Sequence, residues 1–261
     1  MSNNKRKIAV VNFESTQDVM TNIDNIEKWL KKLVVRGVDF VLFPELCITS
    51  YINSFSIHRS WDAIKFEAIT KLNMISLNNP IMFSVGFPHD SYISQAIWSN
   101  GQMIGLHNKT KLGPSEKANF KCASGIDVTN IAGKFIGTSI CYESHYPEIS
   151  ATYEDQGAHL LCFPFASPRE TPDEKLDRFK MILRARAYDN TCFACACNSV
   201  GTYDDGKRYA GVALIVGPKG EIIAETSGYE EAFIEAEIDL DNIDRIKTSS
   251  MGYFRAKENF R

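Results

Sequence analysis

Three apolar runs of strand length end in residues that can take part in chemistry. VDFVLFPE ends in Glu45, MIGLHNK ends in Lys109, and KFIGTSIC ends in Cys141. Side chains at the ends of buried strands are held rigidly and can face a cleft. A free thiol is only a few per cent thiolate at neutral pH, so a reactive cysteine needs a base or a cation nearby. Glutamate and lysine are residue types of these two kinds.

Each of these residues also has an ordinary structural interpretation. Free cysteine is among the most buried residue types, so Cys141 taken alone could be a small core residue. Lys109 and Lys111 could form an exposed pair at a sheet edge. Glu45 is harder to explain in this way, because an ionised carboxylate after VLFP is costly without a partner.

Apolar runs of strand length alternate with helical patterns along the chain. Strands are predicted at residues 7–14, 38–45, 81–87, 134–141, 159–164, 191–198, 209–217, 221–225 and 232–238. Asn100-Gly101 suits a type I′ turn and predicts a hairpin between QAIW and MIGLH. The stretch 109–125 carries no periodic pattern, and a long polar loop inside a compact domain is often functional.

Two segments carry helical signals. Apolar residues recur at helical spacing across residues 22–37. Between residues 164 and 191, Thr171 can cap a helix and Glu174 completes its capping box. Hairpins mixed with helical crossovers predict one α/β domain, in which helices lie outside mixed sheets.

Composition excludes several classes of function. The chain has 261 residues, 44% of them hydrophobic, and a net charge of -3. Without a basic block interleaved with aromatics, a nucleic-acid or anionic-membrane surface is not expected. No run approaches the ~18 apolar residues of a membrane span, and the N-terminus lacks the pattern of a signal peptide. We therefore expect a cytoplasmic protein.

The cysteine usage agrees with that compartment. An odd number of cysteines, seven, in apolar settings favours reduced thiols over a disulfide framework. Cys192, Cys195 and Cys197 have a metal-like spacing in TCFACACN, but no second pair stands at zinc spacing. We interpret them as part of a buried strand, with Cys195 and Cys197 on one face and Cys192 on the other.

The segments FPELCITSY, HNKTKLGPSE and SICYESHYPE resemble, in order and spacing, the glutamate, lysine and cysteine motifs of the nitrilase superfamily of carbon-nitrogen hydrolases. The likeness continues through GAHLLCFP, RARAYDN, GVALIVGPKGE and MGYFRAKENFR. It implies a single carbon-nitrogen hydrolase domain over residues 1–261 and a four-layer αββα sandwich. It also implies a homodimer or higher homo-oligomer, to which the terminal GYFRAKENFR could contribute.

The resemblance assigns roles residue by residue. It makes Glu45 the general base, Lys109 the electrophilic stabiliser and Cys141 the nucleophile. Glu116 matches a second glutamate that supports the lysine, and the amide of Tyr142 would complete the oxyanion site. The implied reaction passes through a thioester and requires neither a metal nor an organic cofactor.

The resemblance also narrows the substrate. Nitrilases proper typically have Trp after the cysteine, whereas Tyr142 follows it here, so we expect a small-molecule amide or carbamoyl amine. Tyr51, Phe165 and Arg169 follow strand ends and are predicted to line the pocket, as is Phe55. Arg169 would clamp a substrate carboxylate, or it is a surface arginine on a loop.

Several alternatives stay open on the sequence. The same residues could hydrolyse nitriles. Cys141 and His145 could form a thiol-histidine pair, although no Asn or Asp orienter is marked. A binding protein could have kept the fold and lost catalysis. Glu143 either orients the cysteine turn or caps the segment beginning near Pro147, while Asp127, Arg184 and Arg186 are interpreted as structural.

Overall fold

Alternating hydrophobic side chains along the strands divide the structure into layers. The computed structural model describes residues 4–50, 54–131, 133–168, 170–202, 206 and 208–252, with side chains of residues 54–60 outside the description. In chain order its strands are Lys5–Asn12 (β1), Phe40–Leu42 (β2), Met82–His89 (β3), Tyr92–Ser99 (β4), Gln102–Asn108 (β5), Thr129–Ile131 (β6), Lys134–Thr138 (β7), Leu160–Phe165 (β8), Phe193–Asn198 (β9), Gly201–Thr202 (β10), Arg208–Tyr209 (β11), Gly211–Val216 (β12), Ile222–Gly228 (β13) and Ala232–Asp239 (β14).

The helices of the described residues connect these strands and flank the cysteine turn. They are Val19–Val34 (α1), Ser54–Asn78 (α2), Pro147–Asp155 (α3), Pro172–Asn190 (α4) and Asp241–Lys247 (α5). A short 3-10 helix, Cys141–His145, precedes α3.

Two mixed sheets form the centre of the described structure. The first has the order β14-β1-β2-β3-β4-β5 and the second the order β13-β12-β9-β8-β7-β6. Strands β1, β2 and β3 are parallel to one another, as are β7, β8 and β9. The flanking strands are antiparallel, which confirms the predicted mixture of hairpins and crossovers.

Side-chain alternation builds a four-layer sandwich. Ile8 and Val10 of β1 point inward and pack with Cys195 and Cys197 of β9 between the two sheets. The other faces of the sheets are covered by α1 and α2 on one side and by α3 and α4 on the other. Each fully buried large apolar side chain contributes about 1.5–3 kcal/mol. The predicted αββα architecture is confirmed.

The predicted hairpin turn and the predicted helix cap are also confirmed. Asn100 and Gly101 have φ of 51° and 81°, as a type I′ turn requires, and they join β4 to β5. Thr171 caps α4, and its backbone N–H donates to Glu174 Oε2 at 2.9 Å. The capping box therefore fixes where α4 begins.

The 25-residue helix α2 was not predicted from the pattern. Phe66, Met74 and Leu77 on α2 are 85%, 52% and 63% exposed. Apolar residues therefore occur on the exposed side of α2 as well as the buried side, which blurs the helical period. The short helices α3 and α5 were also not predicted as helices.

Strand direction brings the reactive residues to one edge. β4 is antiparallel to both β3 and β5, so β5 runs in the same direction as β2 and β3. Glu45 follows β2 and Lys109 follows β5, and both therefore lie at the carboxyl edge of the first sheet. In the second sheet Cys141 follows β7. The predicted strands 38–45 and 134–141 end early, at Leu42 and Thr138, because the chain then turns into the site.

Gly86 permits the chain to pass close to Glu45. A Cβ on this residue of β3 would lie 2.3 Å from the backbone nitrogen of Leu46 and 3.0 Å from the backbone carbon of Glu45. Backbone atoms cannot move aside as flexible side chains do. The close approach therefore requires glycine at this position.

We expect Gly86→Ala to lower the free energy of unfolding by about 1–3 kcal/mol, because the added methyl group overpacks the site. Gly228→Ala is the matched control, since a Cβ there meets no atom of the described structure within 4 Å. Urea denaturation of both variants measures the difference. Equal stability of the two variants would contradict the steric argument.

Candidate active site

Lys109 lies between two carboxylates in the interior. Its Nζ donates to Glu45 Oε1 at 2.6 Å and to Glu116 Oε1 at 2.7 Å. The side chains of Lys109 and Glu45 are 0% exposed, and that of Glu116 is 6% exposed. Charge-assisted hydrogen bonds of this length are the strong ones. The structure thus brings together three of the four predicted catalytic residues.

Backbone amides hold the second oxygen of each carboxylate. Ala166, directly after β8, donates its N–H to Glu45 Oε2 at 3.0 Å. Gly113 donates its N–H to Glu116 Oε2 at 2.7 Å. The carboxyl edges of the two sheets therefore meet at Glu45, and the loop after Lys109 closes on itself through Glu116.

Cys141 lies beside this group in a constrained conformation. It has φ of 45°, a left-handed value that is uncommon for a residue other than glycine. It begins the 3-10 helix and is partly exposed, unlike the buried Ile140 before it. The sulfur interacts electrostatically with Glu45, Lys109 and Glu116. Backbone strain of this kind occurs at functional sites, where the surrounding structure holds a side chain in position.

The buried carboxylate of Glu143 fixes the cysteine turn, the segment of residues 140–145 that carries Cys141. Its Oε2 accepts from the backbone N–H of Ile140 at 2.6 Å and lies 2.8 Å from His107 Nε2. Its Oε1 accepts from the N–H and from the hydroxyl of Thr110, at 2.7 and 2.6 Å. The carboxylate thus ties the turn that carries Cys141 to the residue after Lys109. This supports the orienting interpretation of Glu143 over the capping one.

Burial and charge shift the pKa values of the group. Burial raises the pKa of Glu45, with Lys109 opposing the shift and Glu116 adding to it. Burial also raises the pKa of the Cys141 thiol, and the negative charge of Glu45 raises it further. Burial alone would lower the pKa of Lys109, but the charges of Glu45, Cys141 and Glu116 outweigh it, and the pKa is raised. The resting site therefore contains a charged lysine and a neutral thiol.

The predicted substrate-binding residues have different positions. Tyr142 is partly exposed, and its ring centroid lies 5.5 Å from that of His145. Phe165 is 1% exposed and packs against Phe179 in the core beneath α4, with 4.1 Å between the ring centroids. Packing thus explains Phe165, and its contact with substrate stays a prediction. Tyr51 and Arg169 lie outside the described residues.

Other predictions for this region can also be compared with the structure. The side chain of Phe55 and residues 253–261 of GYFRAKENFR lie outside the described part. Arg184 donates to the carbonyl of Gly220 at 2.8 Å, and Arg186 donates to that of Ser144 at 3.1 Å. The structural interpretation of these two arginines is confirmed.

A buried lysine beside the site was missed in the sequence. Lys175, in the first turns of α4, is 0% exposed, and its Nζ donates to the carbonyl of Ser167. It lies four residues before Phe179, on the buried face of α4. That spacing was the available signal, because a lysine inside an apolar stripe is unusual.

The cysteine-rich strand is buried as predicted. Cys195 and Cys197 of β9 point between the sheets, while Cys192 packs under α4. Among the described residues, no group of three or more His, Cys, Asp or Glu side chains could hold a metal ion. Within the same ranges no helix has the length and apolar character needed to cross a membrane.

Comparisons with known proteins find relatives along nearly the whole chain. The profile of the carbon-nitrogen hydrolase family matches residues 7–248. N-carbamoylputrescine amidase of Solanum tuberosum is 26% identical over 272 residues, which cover 95% of this chain and 90% of that protein. The chloroplastic omega-amidase of Arabidopsis thaliana is 27% identical over 266 residues, covering 94% of this chain and 70% of that protein.

A solved structure shares the fold. An amidase mutant from Nesterenkonia sp. AN1 superposes on this structure with a TM-score of 0.81 and 21% sequence identity. The match covers 98% of this chain and 97% of the amidase chain. In that structure the acetamide moiety of fluoroacetamide is covalently added to the active site cysteine.

We expect Glu143→Gln to lower the free energy of unfolding by about 3–5 kcal/mol, because an amide group would face donors that a buried carboxylate now satisfies. Glu225→Gln is the control, since Glu225 forms a surface pair with Lys180 and should contribute at most about 1 kcal/mol. Urea unfolding measures both.

The pH dependence of that difference provides a second check. His107 and Thr110 outweigh burial and lower the pKa of Glu143. The stabilisation by Glu143 is therefore complete above the ordinary carboxyl pKa and is lost as pH falls through the lowered value. The gap between wild type and Glu143→Gln should close in acid. A gap that stays constant across that range would contradict the assignment.

Proposed function

Because the chain belongs to the carbon-nitrogen hydrolase family, and is thus a hydrolase, we propose that it hydrolyses small-molecule amides or carbamoyl amines through a thioester on Cys141. One observation carries the assignment of roles. The ammonium of Lys109 lies between the carboxylates of Glu45 and Glu116, beside a partly exposed cysteine. This arrangement supplies a nucleophile, a base and a cation in one place.

In the first step, the Cys141 sulfur attacks the substrate carbonyl carbon while Glu45 takes the thiol proton. The raised pKa of both groups suits general-base catalysis, in which the proton moves during the attack. The carbonyl electrons move to oxygen, where Lys109 and the amide of Tyr142 donate hydrogen bonds. At ~4 Å and an effective dielectric of ~20, one such charge pair is worth about 4 kcal/mol before desolvation is subtracted.

In the second step, the carbon-nitrogen bond breaks and Glu45 returns its proton to the departing nitrogen. Ammonia or an amine leaves, and the acyl group remains as a thioester on Cys141. Glu45 then takes a proton from water, whose oxygen attacks the thioester carbon. The carbon-sulfur bond then breaks and Glu45 returns this proton to the sulfur, which releases the acid and restores both the thiol and the carboxylate.

The substrate class has separate support. The two relatives described above, which cover 95% and 94% of this chain, are named as amidases. Tyr142 follows the nucleophile, where nitrilases proper typically have Trp. We therefore propose amides and carbamoyl amines, in preference to nitriles, as the substrates.

We also propose that residues 1–261 form one domain and that the enzyme works in the cytoplasm as a homodimer or higher homo-oligomer. The family match over residues 7–248 supports a single domain. The seven free cysteines support a reducing compartment. A single-chain mass in sedimentation equilibrium would contradict the proposed assembly.

Ammonia release from a panel of amides, carbamoyl amines and nitriles tests the assigned roles. We expect Cys141→Ala, Glu45→Gln and Lys109→Met each to lower kcat/KM by at least about 10³-fold, because each removes a group that acts on the reacting atoms. Cys122→Ala is the control, since Cys122 is an exposed free cysteine, and it should keep full activity.

Intact-mass measurement completes that experiment. An acyl adduct should form on wild type and be absent from Cys141→Ala, with circular dichroism confirming that the variants fold. Turnover retained in Cys141→Ala would reject covalent catalysis. Loss of activity in His145→Ala with Glu45→Gln still active would identify a thiol-histidine enzyme instead.

The pH profile of kcat/KM in Glu116→Gln tests the electrostatic coupling between Glu116 and Glu45. Protonated Glu45 cannot accept the thiol proton, so kcat/KM should fall as pH falls through the raised pKa of Glu45. The charge of Glu116 contributes to that raised pKa. Its removal should move the acid limb to lower pH, whereas Glu67→Gln on the exposed side of α2 should leave the limb unchanged. A limb that stays in place in Glu116→Gln would refute the coupling.

A further inference from the structure

Lys175 is a second buried cation near the proposed nucleophile. Its side chain is 0% exposed, and its charge interacts with the sulfur of Cys141. Its Nζ donates to the carbonyl of Ser167, on the loop whose Ala166 amide binds Glu45. The catalytic steps described above do not use it.

The carboxylate nearest to Lys175 is already engaged by another cation. Arg178 donates from Nε to Glu170 Oε1 at 2.8 Å and from Nη2 to Oε2 at 2.7 Å. Lys175 Nζ lies 3.6 Å from the same Oε2, beyond hydrogen-bonding distance. Glu174, the residue before Lys175, turns back to accept from Thr171. In this part of the described structure, two cations thus share one carboxylate.

The ammonium group of Lys175, which Glu170 only partly pairs, is buried. Burial lowers the pKa of Lys175 to about 8, against the opposing effect of Glu170, so the ammonium form still predominates at neutral pH. Burying a charge that is not fully paired is costly, and such charges are concentrated at functional sites. Lys109 is in the opposite situation, because two carboxylates hold it. Of these two lysines near the sulfur, Lys175 is the one whose ammonium group is only partly paired and could form an ion pair with a substrate.

Other cations lie near the cysteine turn. Arg178 and Arg186 both interact electrostatically with His145, which packs on Tyr142. Lys111 Nζ lies 5.4 Å from the ring centroid of Tyr146. Glu148 and Asp189 interact with Arg186, so acidic groups offset part of this positive charge.

We propose that Lys175 determines substrate charge, favouring amides whose acyl part carries a carboxylate over amides that carry an ammonium group. The proposal rests on the function assigned to Cys141. A carboxylate near Lys175 would complete the pairing that Glu170 leaves unfinished. A substrate ammonium would be repelled at the same position.

A purely structural role is the competing explanation. Through the carbonyl of Ser167, Lys175 holds the loop that positions Ala166 against Glu45. Loss of that tie would change the turnover of every substrate by a similar factor. A role in charge recognition would instead change the ratio between substrates, mainly through KM.

Three amides of matched length separate these explanations. They are the monoamide of glutaric acid, which is an anion, valeramide, which is neutral, and 4-aminobutanamide, which is a cation. We expect wild type to prefer the anion to the neutral amide and to act least on the cation. Lys175→Met should reduce the anion-to-neutral ratio of kcat/KM by about 10–100-fold.

Two further variants control the result. Lys180→Met removes a lysine of the same helix that pairs with Glu225 at the surface, and it should leave the ratio unchanged. Lys175→Arg keeps the charge and should keep the preference. Should Lys175→Met fold poorly, Lys175→Gln replaces it in the same assay.

Calorimetric measurement of amide binding to the Cys141→Ala variant tests the role of Lys175 in the absence of turnover. The glutaric monoamide should bind this protein more tightly than valeramide, and addition of Lys175→Met should abolish the difference. Wild type that releases ammonia from none of the three would reject these amides as substrates, while the binding comparison would still decide the role of Lys175 and the wider panel would decide the proposed function. An equal loss on all three amides, or a wild-type preference for the neutral or cationic amide, would overturn the proposal.

Discussion

The paired contacts of Lys109 with Glu45 and Glu116 are the interaction on which the rest of the site depends. Two carboxylates and an ammonium lie almost entirely out of water, a state that is tolerable only when geometry and hydrogen bonding are nearly complete. Backbone amides from Gly113 and Ala166 complete it. The group thereby joins the first sheet, the loop after β5 and the end of β8, which fixes where a substrate can bind.

The same burial determines the protonation state that the chemistry requires. A site rich in negative charge disfavours a free thiolate, so the Cys141 thiol keeps its proton until Glu45 accepts it. Glu143 contributes from the other side, because it holds both the amide of Ile140 and the segment at Thr110. Nucleophile, base and lysine are thus positioned by two separate buried carboxylate networks that share the end of β5.

Much of the fold could be predicted from the sequence, because alternation and turn chemistry are local signals. The strand ends of Glu45, Lys109 and Cys141, the Asn100-Gly101 turn and the cap at Thr171 are of this kind. Helix α2 was missed, since its exposed apolar residues hide the period. The contact of Glu143 with Thr110 joins positions 33 residues apart, so no local pattern reveals it, whereas Lys175 was overlooked although its place in the apolar stripe of α4 was a local signal.

The protonation state of Cys141 at rest tests the central claim most directly. Thiolate absorbs in the ultraviolet where a thiol does not, so the difference spectrum between wild type and Cys141→Ala reports this one sulfur across pH. A buried carboxylate pair around Lys109 predicts no thiolate signal from Cys141 at neutral pH, with the signal appearing only in strong alkali. A thiolate signal already present at neutral pH would show that Lys109 stabilises the anion outright, and would contradict the account.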